Sequence, residues 1–461
     1  MVFSSLIFIF AYLTVTLAIY YISPLKWRNT VLFVVSLAFY GWGEPKYIAL
    51  MLISIIIAYV FGFFIEQYRY TNRRLAKIFL AASLLGNLSF LLFFKYYNFF
   101  ASNIGFTEIE NLTLPVGISF YTFQIMSYSI DLFRGEVPLA KKFIPFGTYV
   151  TLFPQLIAGP IVRYKDVCDQ LEERKETIAK FSSGVNRFVT GLGKKLILGD
   201  SAAAVAELLE TANGFEPTVL GTWAVMLCYT FHIYFDFSGY SDMAIGLGRM
   251  LGFEFVENFN YPYIAKSITD FWRRWHITLS TWFKEYVYIP LGGNRVGKVR
   301  AFLNLATVWF LTGFWHGADW NYIIWGVYFW VFLVIEKAFL GKLLSKIPAF
   351  GRLYTLIIVG FGWMIFFHTD LSVILTSAKQ LIGIGAAFSS GAILYELLRL
   401  LPFLAICAIA CTPAPKRLWN RLFERFPQLT VAKPILCMIL FLICTAYMVD
   451  NTFSPFLYYI F

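Results

Sequence analysis

The chain has 461 residues, 59% of them hydrophobic and 14% charged, against about half apolar and about a quarter charged in an ordinary soluble domain, so a soluble globular protein is excluded. A formal net charge of +11 would point a soluble protein towards nucleic acid, but here the basic residues gather between apolar runs, as in cytoplasmic loops of membrane proteins, and nucleic acid is not expected as a partner. The apolar runs are continuous rather than alternating every second residue, which excludes a transmembrane barrel.

In chain order, Ser5 to Ile22, Tyr47 to Ile65, Lys77 to Phe100 and Leu353 to Phe367 each come near the roughly 20 residues a helix needs to cross hydrocarbon. At about 35 to 40 residues for a helix and its connection, the length allows about ten to twelve crossings. The predicted fold class is therefore an all-α polytopic integral membrane protein, a single membrane domain over residues 1–461, with the lipid bilayer as its surroundings. Met1 to Ser5 carry no basic group, so the first run is expected to be a retained span rather than a cleaved signal.

Glu66 to Lys77 holds four basic residues and one acid, and Thr412 to Lys433 five and one, so both are predicted to be cytoplasmic. Ala101 to Asn111, His368 to Asp370 and the tail from Asp450 lack Lys and Arg and are predicted to lie outside. Alternation between these landmarks gives a multi-pass protein of the cell membrane with both termini extracytoplasmic. From Phe143 to Thr218 the pattern fails. Pro154, Gly159 and Pro160, a charged stretch from Arg163 to Lys180, and Gly184, Gly191, Gly193, Lys194 and Lys195 interrupt it. Proline and glycine at membrane depth free backbone groups that need burial or an aqueous cavity, so broken or re-entrant helices are expected. The same holds for Phe235 to Arg300, where Gly239, Gly246, Gly248 and Gly252 precede a polar, aromatic and basic block. This middle third is the predicted functional core.

Two of the four histidines sit in unusual company: His276 in Phe271-Trp-Arg-Arg-Trp-His-Ile-Thr-Leu-Ser280, and His316 in Thr312-Gly-Phe-Trp-His-Gly-Ala-Asp319. Ionisable groups inside a membrane are costly and functional by default. A desolvated imidazole favours its neutral form, and a neutral imidazole accepts a proton from a hydroxyl, as acyl transfer to an alcohol requires. Asp319 would orient His316 across one helical turn if the helix continued through Gly317. The competing reading is a helix-end histidine among interfacial aromatics.

Around His276, Lys266, Arg273, Arg274, Lys284, Arg295, Lys298 and Arg300 face Asp270 and Glu285. They read either as a positive-inside loop or as a mouth that gathers an anionic donor, with Arg273, Arg274 and Lys284 as phosphate contacts. Gly292-Gly293-Asn294-Arg295 predicts a tight turn. Asp236 and Asp242 read as polar caps at the interface in preference to substrate contacts. The six cysteines show neither metal-ligand spacing nor a disulfide framework, and no bound cofactor or metal is expected.

Leu152-Phe-Pro-Gln-Leu-Ile-Ala-Gly-Pro160, the Asp236 to Asp242 segment, Trp272 to Ser280, Tyr288-Ile-Pro-Leu-Gly-Gly-Asn-Arg295 and Gly313-Phe-Trp-His-Gly317 occur together in this order. In them the chain resembles the membrane-bound O-acyltransferase superfamily, and within it looks like the alginate O-acetyltransferase branch, most specifically over 114–336. The resemblance implies a helical bundle around a membrane-crossing funnel, with His316 deep inside as the main catalytic residue and His276, also required, towards the cytoplasm. It implies O-acetylation of an extracellular polysaccharide from a cytoplasmic thioester, acetyl-CoA or an acyl carrier. The branch usually works with an extracytoplasmic transferase of the SGNH-hydrolase type, and with no soluble domain expected here, such a partner is needed for delivery. Tyr458, in the aromatic tail, is a candidate acyl relay beside its reading as an interfacial anchor. Three rivals remain at this point: D-alanyl transfer to teichoic acid from a carrier protein, a transporter of acyl donors or polymer precursors, and a passive scaffold for the partner.

Overall fold

A computed structural model describes residues 2–157, 159–215 and 217–450. Tyr458 lies outside them. The described residues are mostly helical, because in hydrocarbon each backbone N–H and C=O must find its partner within the segment. Six of these helices are long and apolar enough to cross a membrane: Pro45–Tyr68, Arg73–Ile104, Trp320–Lys346, Pro348–Phe367, Gly391–Ala410 and Pro427–Asp450. Ile7–Ile22 is apolar but shorter, and the 32-residue helix Val219–Met250 carries Asp236, Asp242 and Arg249.

The chain divides into two compact units, one of Met1–Val189 with Tyr240–Glu257 and one of Thr190–Gly239 with Asn258 onward. In the first, Ile48–Tyr68, Arg73–Leu91 and Ile118–Arg134 pack against one another, and Ile118–Arg134 is buried along almost its whole length. The expected breaks follow: Phe143–Thr151 stops at Leu152, Pro154 opens the single turn Phe153–Leu156, and Tyr164–Glu172 comes after an extended stretch. A polar node closes the unit's charged end. Glu176 accepts from the Tyr20 hydroxyl at 2.6 Å and pairs with Arg28 at 2.8 Å, with Arg174 at 3.6 Å.

The glycines between 184 and 248 behave differently from the expectation. Ile178–Gly193 and Val219–Met250 are unbroken, and the chain turns at Gly252, whose φ of +87° suits glycine. A Cβ on Gly246 would sit 2.6 Å from the Phe188 nitrogen, and one on Gly239 2.7 Å from the Gly191 carbonyl oxygen. These glycines let two backbones touch, the usual role of small residues between membrane helices. Asp236 and Asp242 are likewise not interface caps. They lie inside the long helix, buried, where Asp242 accepts from Arg187 Nε at 2.7 Å and Asp236 lies 3.6 Å from Lys195, itself bonded to Asp200 at 2.6 Å.

In the second unit, Lys298–His316 and Trp320–Ile335 approach through Gly313 and Gly326: a Cβ on Gly313 would strike the Tyr322 carbonyl, and one on Gly326 the Trp309 carbonyl. Several helices contain a wider π-helical turn, among them Lys194–Asp200, Lys284–Tyr288 and Glu336–Leu340.

Candidate active site

All parts of the site described below belong to the second unit. His316 is the last residue of the helix Lys298–His316 and is 3% exposed. Three aromatic rings meet it edge to face: Trp315 at 4.9 Å between centroids, Trp325 at 5.1 Å and Phe366 at 5.2 Å. The wall continues outward through Trp272, which contacts Trp309, Trp325 and Phe329, and through Trp275, which lies 4.7 Å from Trp363. Such a lining is water-poor, and fixed groups within it act on charge more strongly than they would in water.

His276 is 1% exposed and reaches the same wall from another segment. Its ring meets Trp315 at 6.2 Å, so the indole of Trp315 contacts both imidazoles. Phe237 stands perpendicular to it at 4.8 Å. The local fold explains the placement. Ile268–Trp272 is a short helix, its chain turns over Arg273–Trp275, and His276 adopts a left-handed backbone, φ +44° and ψ +55°, before the helix Ile277–Phe283 begins. That conformation costs a non-glycine residue about 1–2 kcal/mol, and it is held by surrounding contacts. The turn sends Trp272 and Trp275 inward, leaving Arg273 exposed and Arg274 partly so.

Two residues that the sequence reading passed over hold this turn. Asn258 is fully buried, and its Oδ1 faces three donors: Thr278 N at 3.2 Å, Thr278 Oγ1 at 2.9 Å and His276 Nδ1 at 3.1 Å. A backbone N–H can only donate, so the oxygen is correctly placed there and Nδ1 must carry a proton. In its neutral form the imidazole therefore carries its lone pair on Nε2. Glu336, within the apolar helix Trp320–Lys346, accepts from Ile268 N at 2.6 Å, Thr269 N at 2.9 Å and Thr269 Oγ1 at 2.7 Å. It caps the short helix that leads into His276. A lone acid in an apolar span is a signal legible in the sequence; the distant amide of Asn258 is not.

The other expected residues are placed as follows. The helix ends at His316, Gly317 is extended, and the turn that would bring Asp319 beneath the ring is not formed; the Asp319 side chain instead accepts from Trp320 N at 2.7 Å and caps the next helix. Arg274 is bonded to Asp270 at 2.9 Å and to the Asn260 carbonyl, while Arg273 and Lys284 are exposed. The turn at Gly292 and Gly293 is present, with φ +107° and +55°. A cavity of about 690 Å³ lies beside Gly297, Lys298, Arg300 and Asn304, at the other end of His316's helix and about 18–27 Å from it by helical rise, too far to hold reacting atoms near that ring. Two buried imidazoles, one with a fixed Nε2 lone pair, in a dry aromatic wall are suited to taking a proton from a hydroxyl during group transfer.

Comparison with known proteins agrees with this chemistry. Residues 141–378 match the model of the membrane-bound O-acyltransferase family. The chain is 40% identical over 383 residues to a probable alginate O-acetylase of Azotobacter vinelandii, covering 81% of this chain and 76% of that protein. It is 34% identical over 431 residues to a peptidoglycan O-acetyltransferase of Helicobacter pylori, covering 83% and 80%. To a teichoic acid D-alanyltransferase of Bacillus subtilis it is 32% identical over 248 residues, covering 50% and 60%.

Proposed function

The chain belongs to the membrane-bound O-acyltransferase family, and on that premise we propose that this multi-pass acyltransferase moves an acetyl group from a cytoplasmic thioester, acetyl-CoA, to a hydroxyl for O-acetylation of an extracellular polysaccharide. His316 takes the proton of the attacking hydroxyl. The new C–O ester bond forms as the C–S bond breaks, and the departing thiolate takes up the proton. His276 is the second required residue, its Nδ1 held by Asn258, and Arg273 and Lys284 at the exposed face meet donor phosphates. An extracytoplasmic transferase of the SGNH-hydrolase type receives the group, with Tyr458 as a candidate relay that would appear as an acetylated C-terminal peptide in mass spectra.

The observation that carries this reading is the pair of buried imidazoles on one indole, Trp315, in a chain whose relatives over four fifths of its length are named O-acetylases or an O-acetyltransferase. The test uses the purified protein in proteoliposomes with its extracytoplasmic partner and radiolabelled acetyl-CoA. His316→Ala is expected to lose transfer by about 10²–10⁴-fold while remaining folded, and His276→Ala to fall in the same range. Full transfer by both variants would leave a scaffold, and label crossing the bilayer unchanged in His316→Ala would leave a transporter. A second reading is favoured by the teichoic acid D-alanyltransferase relatives, which match half of this chain. In that case D-alanine on a carrier protein, rather than acetyl-CoA, is the donor that supports His316-dependent transfer.

A further inference from the structure

The basic loop from Thr412 to Lys433 folds into an amphipathic helix, Ala414–Arg425, that has no part in the reaction above. Its apolar side chains Leu418, Trp419, Leu422 and Phe423 fall on one side. Phe423 is buried, covered by Trp419 at 4.6 Å and by the Lys433 ammonium at 4.6 Å, whereas Leu418 is 70% exposed and Trp419 and Leu422 about 40%. Arg417, Arg421 and Arg425, four residues apart, form a row that closes on the Leu418 edge of the apolar strip, and Lys416 flanks the opposite edge, beside Phe423. All four bases are exposed, and among the described residues none forms an ion pair with a carboxylate; Glu424 is the helix's lone acid. By contrast Arg399, in the preceding helix, is paired with Glu396.

The surroundings identify what covers this helix. Cys411–Pro413 joins it to the span Gly391–Ala410, and Phe426 alone separates it from the span Pro427–Asp450. Within the hydrophobic windows of those spans 11% and 6% of residues are buried, so both present their sides to lipid. A helix tied this closely to two crossings is held at the bilayer surface, with an exposed Leu-Trp-Leu strip and a row of arginines. Apolar side chains there reach the acyl boundary while bases along the edges stay among headgroups.

We propose that Ala414–Arg425 is an interfacial anchor that binds anionic phospholipid headgroups, with Leu418, Trp419 and Leu422 in the acyl boundary and Arg417, Arg421 and Arg425 on the lipid phosphates. Guanidinium groups suit phosphate oxygens, and several bases beside an anionic surface add their attractions, weakened by salt.

The test reconstitutes the full-length protein in vesicles of phosphatidylcholine and phosphatidylglycerol, with bromine on the acyl chains of one lipid or the other. Trp419 emission is taken as the difference between wild type and Trp419→Phe. Bromine on either lipid is expected to quench it, with a several-fold preference for phosphatidylglycerol that falls to parity in Arg417→Gln/Arg421→Gln/Arg425→Gln and shrinks at high salt. Arg421→Gln alone should give an intermediate preference, which keeps the test decisive if the triple variant fails to insert. Absence of quenching by either lipid would overturn the interfacial placement. Equal quenching by both in wild type, or a preference unchanged in the variants, would overturn headgroup binding by these arginines.

Discussion

Removing the Asn258 amide is the sharpest perturbation of the site. In Asn258→Ala three donors lose one acceptor, at 2.9, 3.1 and 3.2 Å. The Thr278 hydroxyl can rotate to a new acceptor, but Thr278 N and His276 Nδ1 are buried and fixed, and each stranded donor costs about 1–3 kcal/mol, or about 2–6 kcal/mol together. The imidazole is also freed from its single tautomer, so transfer is expected to fall by about 10²-fold or more, the range of a general base lost from its working form. Thr278→Val is the comparison, since it removes one bond to the same oxygen and leaves the ring untouched. It should cost about 0.5–1.5 kcal/mol and keep most of the transfer. Thermal unfolding and labelled acetyl transfer, measured on both variants, separate the two effects. Equal activity of Asn258→Ala and Thr278→Val at a temperature where both are folded would refute the assignment of the Nδ1 proton as a requirement of the reaction.

Glu336→Ala should destabilise the protein by about 2 kcal/mol or more, because it strands the backbone donors Ile268 N and Thr269 N at about 1–3 kcal/mol each, and Glu336→Gln by less; a wild-type melting profile for Glu336→Ala would dismiss its capping role. Gly313→Ala sets a helix-propensity gain of about 1 kcal/mol against a Cβ placed on the Tyr322 carbonyl. Overpacking of about 1–3 kcal/mol should win, giving a lower unfolding temperature. For Glu176, burial works to raise the carboxyl pKa, but the Tyr20 hydroxyl and the Arg28 guanidinium outweigh it and hold the group below the ordinary glutamate value. Its contribution is therefore complete above the unfolded-state pKa and is lost as pH falls through the lowered one, so unfolding temperature should drop on acidification and Glu176→Gln should flatten that drop.

Much of the site was legible because chemistry and pattern coincided. A histidine closing an apolar helix, and another beside a Trp-Arg-Arg-Trp turn, stand out as ionisable groups where hydrocarbon surrounds them, and the structure brings both to Trp315. Asn258 could not be found the same way, because its role depends on a contact across 18 residues of chain that turns several times between them. The Asp319 expectation required helix beyond Gly317, and an extended glycine removed it. Local conformational freedom alone predicts that the glycines at 239 and 246 break a helix. Their actual use rests on a neighbouring backbone, which no single segment announces.

The π-helical turns have a consequence for the chain's tolerance of length change. Such a turn closes over one residue more than an α-turn, and three of them carry side chains described above: Lys195 with Asp200, Lys284 at the exposed mouth, and Glu336. Each therefore acts as a phase shifter, setting the rotation of all that follows by about 100°, the angle of one α-helical residue. Deleting Leu198 would return its segment to α spacing and leave the Lys195 and Asp200 side chains one α-turn apart, still able to pair, while the helix Ser201–Phe215 that follows is turned relative to the residues before it. These segments are places where a single-residue deletion leaves a good helix and a misdirected face.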